Sequence, residues 1–120
     1  TVTSTALSVF AVAQRPPPSY YRWLMPDNPK LMGYVVNVPQ LHAGRGFVVL
    51  LNADDRDRRI AVDLRGDTAW KMIGNGREID RAGLAPRGWP AGKPPPVWPA
   101  GWKGEIEVPK LESVILMNGF

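Results

Sequence analysis

Several groups of side chains in this sequence have the types and spacing that chemistry needs. Asp54, Asp55 and Asp57 form an acidic run, and clustered carboxylates are what calcium takes as ligands. Arg56, Arg58 and Arg59 interrupt that run, so a solvated hairpin tip is the favoured reading. Glu105 and Glu107 stand two apart, on one face of a strand, and paired carboxylates are the equipment of glycoside hydrolysis. They are flanked by Ile106 and Val108, which makes them the exposed face of an amphipathic strand. Ser113, His42 and an aspartate supply the members of a triad, but no nucleophile elbow surrounds the serine. His42 sits beside a glycine-rich turn and reads as a surface residue. The remaining group is aromatic. The tetrapeptide Trp-Pro-Ala-Gly occurs at 89–92 and again at 98–101, and Trp89, Trp98 and Trp102 all fall between Gly88 and Trp102.

That aromatic stretch is the candidate site. Proline restricts φ and biases the chain towards polyproline II, which rises about 3.1 Å per residue. Rings mounted on such a semi-rigid segment lose little entropy on binding. A flat indole suits the apolar C–H face of a pyranose, while hydroxyls bond to polar neighbours, here Arg87, Lys93, Lys103 and Glu105. One reading is therefore a polysaccharide platform made of Trp89, Trp98 and Trp102 with Lys93 and Arg87. A second is a lid that folds back and buries its rings against Phe47, Leu51 or Ile115. A third is a surface for another protein. The platform requires the rings to be partly exposed and roughly coplanar; the lid requires them buried. Residues 81–104 read as one long irregular loop, and a loop of that length in a compact domain either packs or functions.

The totals narrow the classes. The chain has 120 residues, enough for one domain with a core of its own. Cysteine is absent and histidine occurs once, which removes disulfides and thiol chemistry and argues against a His-based metal site. No cofactor or metal is expected, and no catalytic motif points to an enzyme. The formal charge is +4, but the arginines alternate with aspartates, so nucleic acid is not an expected partner. No apolar run is long enough to span a membrane. The chain does not begin with Met, which implies a trimmed form or a piece of something longer. A secreted or extracytoplasmic location is favoured over a cytoplasmic one, although a lack of cysteine does not fix the compartment.

Thirteen prolines and twelve glycines punctuate the chain into pieces. Residues 1–32 form an N-terminal segment that packs on the domain or leads into it. Its run from Val2 to Ala13 fits a strand by alternation or a helix by period. Tyr20, Tyr21 and Trp23 cover the domain, and Pro26-Asp27-Asn28-Pro29 is a turn signal. Residues 33–120 read as the domain proper. Strands are expected at Gly33–Val38, Phe47–Leu51, Arg59–Leu64 and Ala69–Ile73. A tight hairpin at Gly74-Asn75-Gly76 should return through Arg77–Asp80. Glu105–Val108 and Ser113–Met117 close the fold. Arg59–Leu64 alternates as a half-buried strand does, whereas Phe47–Leu51 and Ser113–Met117 are continuous apolar runs, the mark of strands covered on both faces. The sum is an all-β antiparallel β-sandwich of Greek-key or jelly-roll type carrying a long Pro/Gly/Trp loop.

The run Gly46-Phe47-Val48-Val49-Leu50-Leu51-Asn52, a polar turn, then Arg59-Ile60-Ala61-Val62-Asp63-Leu64, resembles the C-terminal β-sandwich domains of glycoside hydrolases of the α-amylase and α-galactosidase groups. The ending, Val108-Pro109 followed by Ser113-Val114-Ile115-Leu116, is similar to theirs as well. The resemblance covers roughly residues 33–120; the Trp/Pro loop and the N-terminal segment lie outside its pattern. It implies a non-catalytic accessory domain linked to a glycoside hydrolase catalytic domain. Such domains pack against the barrel, and some act as carbohydrate-binding modules. The expected partners are thus a polysaccharide or oligosaccharide and the linked catalytic domain. The alternative is a purely structural domain that packs on the barrel or mediates oligomerisation.

Overall fold

A computed structural model describes residues 21–24, 26–36, 46–65 and 68–118. The turns expected at 42–45 and 66–67, His42, and the segment before Tyr21 lie outside the described residues. The described residues form eight strands: β1 (Tyr21–Leu24), β2 (Leu31–Val36), β3 (Phe47–Asn52), β4 (Arg58–Leu64), β5 (Trp70–Gly74), β6 (Val97–Trp98), β7 (Trp102–Val108) and β8 (Ser113–Asn118). They make a six-stranded sheet in the order β1-β2-β3-β8-β5-β6 and a two-stranded sheet of β4 and β7. Every pairing is antiparallel. The molecule is an all-β sandwich, and no helix long and apolar enough to cross a membrane occurs among the described residues.

The period-2 pattern of the sequence sets which side chains meet between the sheets. Val35, Val48, Leu50, Met72, Val114 and Leu116 line the inner side of the large sheet, with Trp70 beside them. Ile60, Val62 and Leu64 of β4 and Ile106 and Val108 of β7 face them from the small sheet. Each such side chain fully withdrawn from water contributes about 1.5–3 kcal/mol of transfer free energy. Trp70 is fully buried, and its indole N–H is satisfied by the Arg65 carbonyl at 3.0 Å.

Two elements enlarge the expected fold. The Tyr20–Trp23 cluster, expected to cover the sandwich, is in part an edge strand. β1 pairs with β2 from Tyr21↔Val36 to Leu24↔Gly33. The expected turn at Asn28 joins the two, with Lys30 N–H on Asn28 Oδ1 at 2.9 Å and Leu31 N–H on the Asn28 carbonyl at 3.0 Å. The division drawn between residues 32 and 33 accordingly falls inside β2. The second addition is in the long loop, which is not wholly irregular: β6 adds to β5 at Trp70↔Trp98, and β7 begins already at Trp102. The return strand expected at Arg77–Asp80 is reduced to a single bridge, Gly74↔Ile79.

The end of the sandwich beneath β3 and β8 is tied by polar side chains. Asn52 is buried, and its Nδ2 donates to the carbonyls of Arg56 and Val108 at 2.8 and 2.9 Å. Asp54 is also buried, which corrects the reading of the acidic run as a solvated tip. It accepts from Arg58 Nε at 2.9 Å and from the Asp55 amide at 2.7 Å, and Asn28 and Lys30 approach it from the β1–β2 turn. Asp55 and Asp57 do remain exposed. No group of acidic residues and histidines among the described residues is arranged to hold a metal ion.

Candidate functional site

The two Trp-Pro-Ala-Gly repeats fold alike. Lys93 N–H bonds the Pro90 carbonyl and Trp102 N–H bonds the Pro99 carbonyl, each at 3.2 Å. The third residue of each turn is a glycine at positive φ, +79° at Gly92 and +78° at Gly101. That is type II turn geometry, which calls for glycine at this position. A third turn of the same kind, Pro86 to Trp89, carries Gly88 at +81°. A Cβ added at any of the three glycines would meet no atom within 4 Å, so backbone conformation rather than space requires them.

Each repeat also places the last residue of its turn on the tryptophan that precedes the turn. Lys93 Nζ lies 4.3 Å from the centre of the Trp89 ring, a cation–π contact, and Trp89 Nε1 closes the turn on the Pro94 carbonyl at 3.0 Å. In the second repeat Trp102 takes the place of the lysine, and its ring centre is 6.4 Å from that of Trp98. Trp98 and Trp102 pack on the edge of the core, each partly buried. The Trp102 ring lies over the Cα of Gly104, where a side chain would collide with it.

The five residues expected at the site are therefore divided. Trp98 and Trp102 are together at one end of the sandwich, beside Trp70 and the end of β4, where Gly101 N–H bonds the Leu64 carbonyl. Their planes are inclined by 60°, which does not make a flat platform. They cover the interior, whereas Phe47, Leu51 and Ile115 project from the other face of the large sheet. Trp89 and Lys93 form a separate knob on the loop. Arg87 is at the opposite end, paired with Glu112 at 2.6 Å, and with Met72, Pro86 and Pro109 it lines a cavity of about 90 Å³. Glu105 and Glu107 are exposed, as expected, and Glu107 stands 4.0 Å from Arg59 across the strand pair.

A second surface was legible only in part. The outer face of the large sheet carries Trp23 of β1, Met32, Tyr34 and Val36 of β2, Phe47, Val49 and Leu51 of β3, and Ile115 of β8. Trp23 is 61% exposed and Met32 47% exposed, and Trp23 leans on Tyr34 with ring centres 5.4 Å apart. Phe47, Val49, Leu51 and Ile115 are each half-buried. The signal for this face was the continuous apolar run of β3, which implies burial on both sides; Phe47, Val49 and Leu51 are half-buried on this side, and Met117, opposite Phe47 on the same face, is buried.

No family model matches the sequence, and neither does any curated protein.

Proposed function

We propose that this chain is a non-catalytic accessory β-sandwich of a carbohydrate-active enzyme, and that it packs on its catalytic domain through the outer face of the large sheet. One observation carries the reading. β3 is apolar at every position from Phe47 to Leu51, yet it alternates between buried residues and half-buried ones. Val49 and Leu51 are aliphatic, and so are their neighbours Val36 and Ile115. Aliphatic side chains offer neither a flat ring nor a hydrogen bond to a sugar, so protein is the fitting occupant of this face. The resemblance to glycoside hydrolase C-terminal domains, which pack on a barrel, supports the same reading.

The test uses the isolated chain. Anilinonaphthalene sulfonate fluorescence and light scattering are followed against concentration, for the chain as it is and for Val49→Lys. Dye binding or self-association that the variant loses, with its melting temperature held, is the expected result. A chain that binds no dye and stays monomeric at every concentration overturns the reading.

A polysaccharide-binding role keeps one specific support: Trp89, half-buried on a turn that needs no ordering before it binds. Its indole is held by Pro94 and one face by Lys93. Titration of tryptophan fluorescence with a panel of soluble polysaccharides, repeated with Trp89→Ala, examines it. A saturable shift lost in the variant supports the role, and no shift with any glycan removes it.

A further inference from the structure

The small sheet has a long free edge. β4 pairs with β7 over its whole length, from Arg58↔Val108 to Leu64↔Trp102, and no described residue pairs with its other side. The direction of its backbone groups follows from two contacts. The Leu64 carbonyl accepts the Gly101 amide on the β7 side. The Asp63 carbonyl accepts Arg22 Nη2 of β1 at 3.3 Å, on the opposite side. Because successive peptide groups alternate, Arg59 and Ala61 point their N–H and C=O the same way as Asp63, off the free edge.

These groups open onto a groove. One part, of about 500 Å³, is lined by Asp27, Leu31, Arg59, Ala61 and Glu105 among others. The next, of about 400 Å³, is lined by Leu24, Asp63, Lys103 and again Ala61 and Glu105. The two parts meet at Ala61, whose small side chain leaves the edge notched at its centre.

Proteins blunt free edges by keeping them short, by placing proline, a bulge or charged side chains there, or by covering them. β1 has four residues and β6 two, and both are short. β4 has seven, with no proline and a continuous register; its charged residues, Arg58, Arg59 and Asp63, flank an uncharged centre at Ala61. Among the described residues Arg22 caps it, at the Asp63 end.

We propose that the free edge of β4 receives an extended peptide segment, alternating apolar residues with charged residues of both signs, as an added strand. The walls of the groove select that pattern. On the inner side Leu24 and Leu31 are apolar and packed on the core. On the outer side Arg59 and Lys103 alternate with Asp63 and Glu105, so a segment of a single charge is opposed somewhere along it. The N–H and C=O of Ala61, which no described residue pairs, supply the backbone bonds that hold a strand irrespective of its sequence, and the two walls supply the choice of side chains. The groove is on a different face from the outer side of the large sheet, so this inference does not depend on the packing proposed above.

The probe is a synthetic heptapeptide that alternates Thr, Val, Lys, Val, Glu, Val and Thr, titrated into the full 15N-labelled chain. Amide shifts should centre on Arg59, Ala61 and Asp63, and exchange of the Ala61 amide should slow by about tenfold or more on saturation. Ala61→Pro removes an N–H that bonds nothing on β7, a substitution edge strands tolerate, and it should weaken the peptide by about tenfold or more. Ala61→Arg, which fills the notch and keeps the backbone intact, should weaken it likewise and serves if the proline variant does not fold. Three results overturn the proposal: no shifts, shifts confined to Trp23 and Val49 on the large sheet, or an Ala61 amide already protected without peptide. Shifts confined to the large sheet would at the same time leave the packing reading standing.

Discussion

Trp98 and Trp102 meet at 6.4 Å with their planes inclined by 60°, and the pair closes one end of the sandwich. The equivalent positions in the first repeat, Trp89 and Lys93, also meet, but by a cation–π contact out on the loop. One turn sequence thus serves two purposes, and the residue that follows it decides which. A second tryptophan drives the turn onto the core; a lysine keeps it in water.

The two repeats should therefore respond differently to truncation. Trp98→Ala is expected to cost about 2 kcal/mol, less than a fully buried ring because Trp98 is only partly buried. Trp89→Ala should cost about 0.5–1 kcal/mol, the scale of an exposed cation–π contact. Urea denaturation of both variants measures the difference. An equal loss in the two would mean that the loop folds as one unit with the core.

A carboxylate at the other end sets the acid limit. Interaction with Asp55 is the largest influence on Asp54 and, joined by the Arg58 guanidinium, holds its carboxyl well below the usual carboxylate range against the opposing effect of desolvation. A group whose pKa is depressed by folding adds stability above its unfolded value, and that stability goes as pH falls through the folded value. Here the contribution is complete above about pH 4 and is lost progressively below it. The melting temperature of the chain should fall on acidification from pH 4 towards pH 2, and Asp54→Asn, already lower at pH 7, should show a flatter slope over that interval. Parallel curves for the two would show that Asp54 does not carry the acid sensitivity.

How much of this could be read from the sequence depends on how far each partner lies along the chain. The strands of Phe47–Leu51, Arg59–Leu64 and Ser113–Met117 were legible because a run or an alternation states its own burial. β1 was not: four residues from Tyr21 to Leu24 carry no period, and they are a strand only because β2 lies alongside. β6 is shorter still and exists through Trp70, far from it in sequence. The Trp-Pro-Ala-Gly repeat was visible as a repeat, yet its turn type rests on the φ of Gly92 and Gly101, and the fates of the two copies rest on what each meets. Asp54 looked like one more solvated charge because Asn28 and Lys30, which approach it, arrive from the β1–β2 turn.

Two glycines make the last prediction, since they are required for opposite reasons. Gly92 has room for a side chain but holds φ at +79°. Gly33 has an ordinary φ, but a Cβ there would come within 2.8 Å of Leu24 Cδ1 and 3.2 Å of Leu50 Cδ2. Gly92→Ala should cost about 1 kcal/mol of backbone conformation, and Gly92→Asn less, because Asn enters the left-handed region more readily. Gly33→Ala should also destabilise, by crowding. Leu24→Ala, which removes the nearest atom, should make the pair Gly33→Ala/Leu24→Ala more stable than the sum of the single changes predicts. No neighbouring substitution should rescue Gly92→Ala. Chemical denaturation of the single and double variants gives the comparison. If Gly33→Ala and Leu24→Ala prove additive, β1 does not press on β2 as described; if Gly92→Ala costs nothing, the repeat does not need its turn.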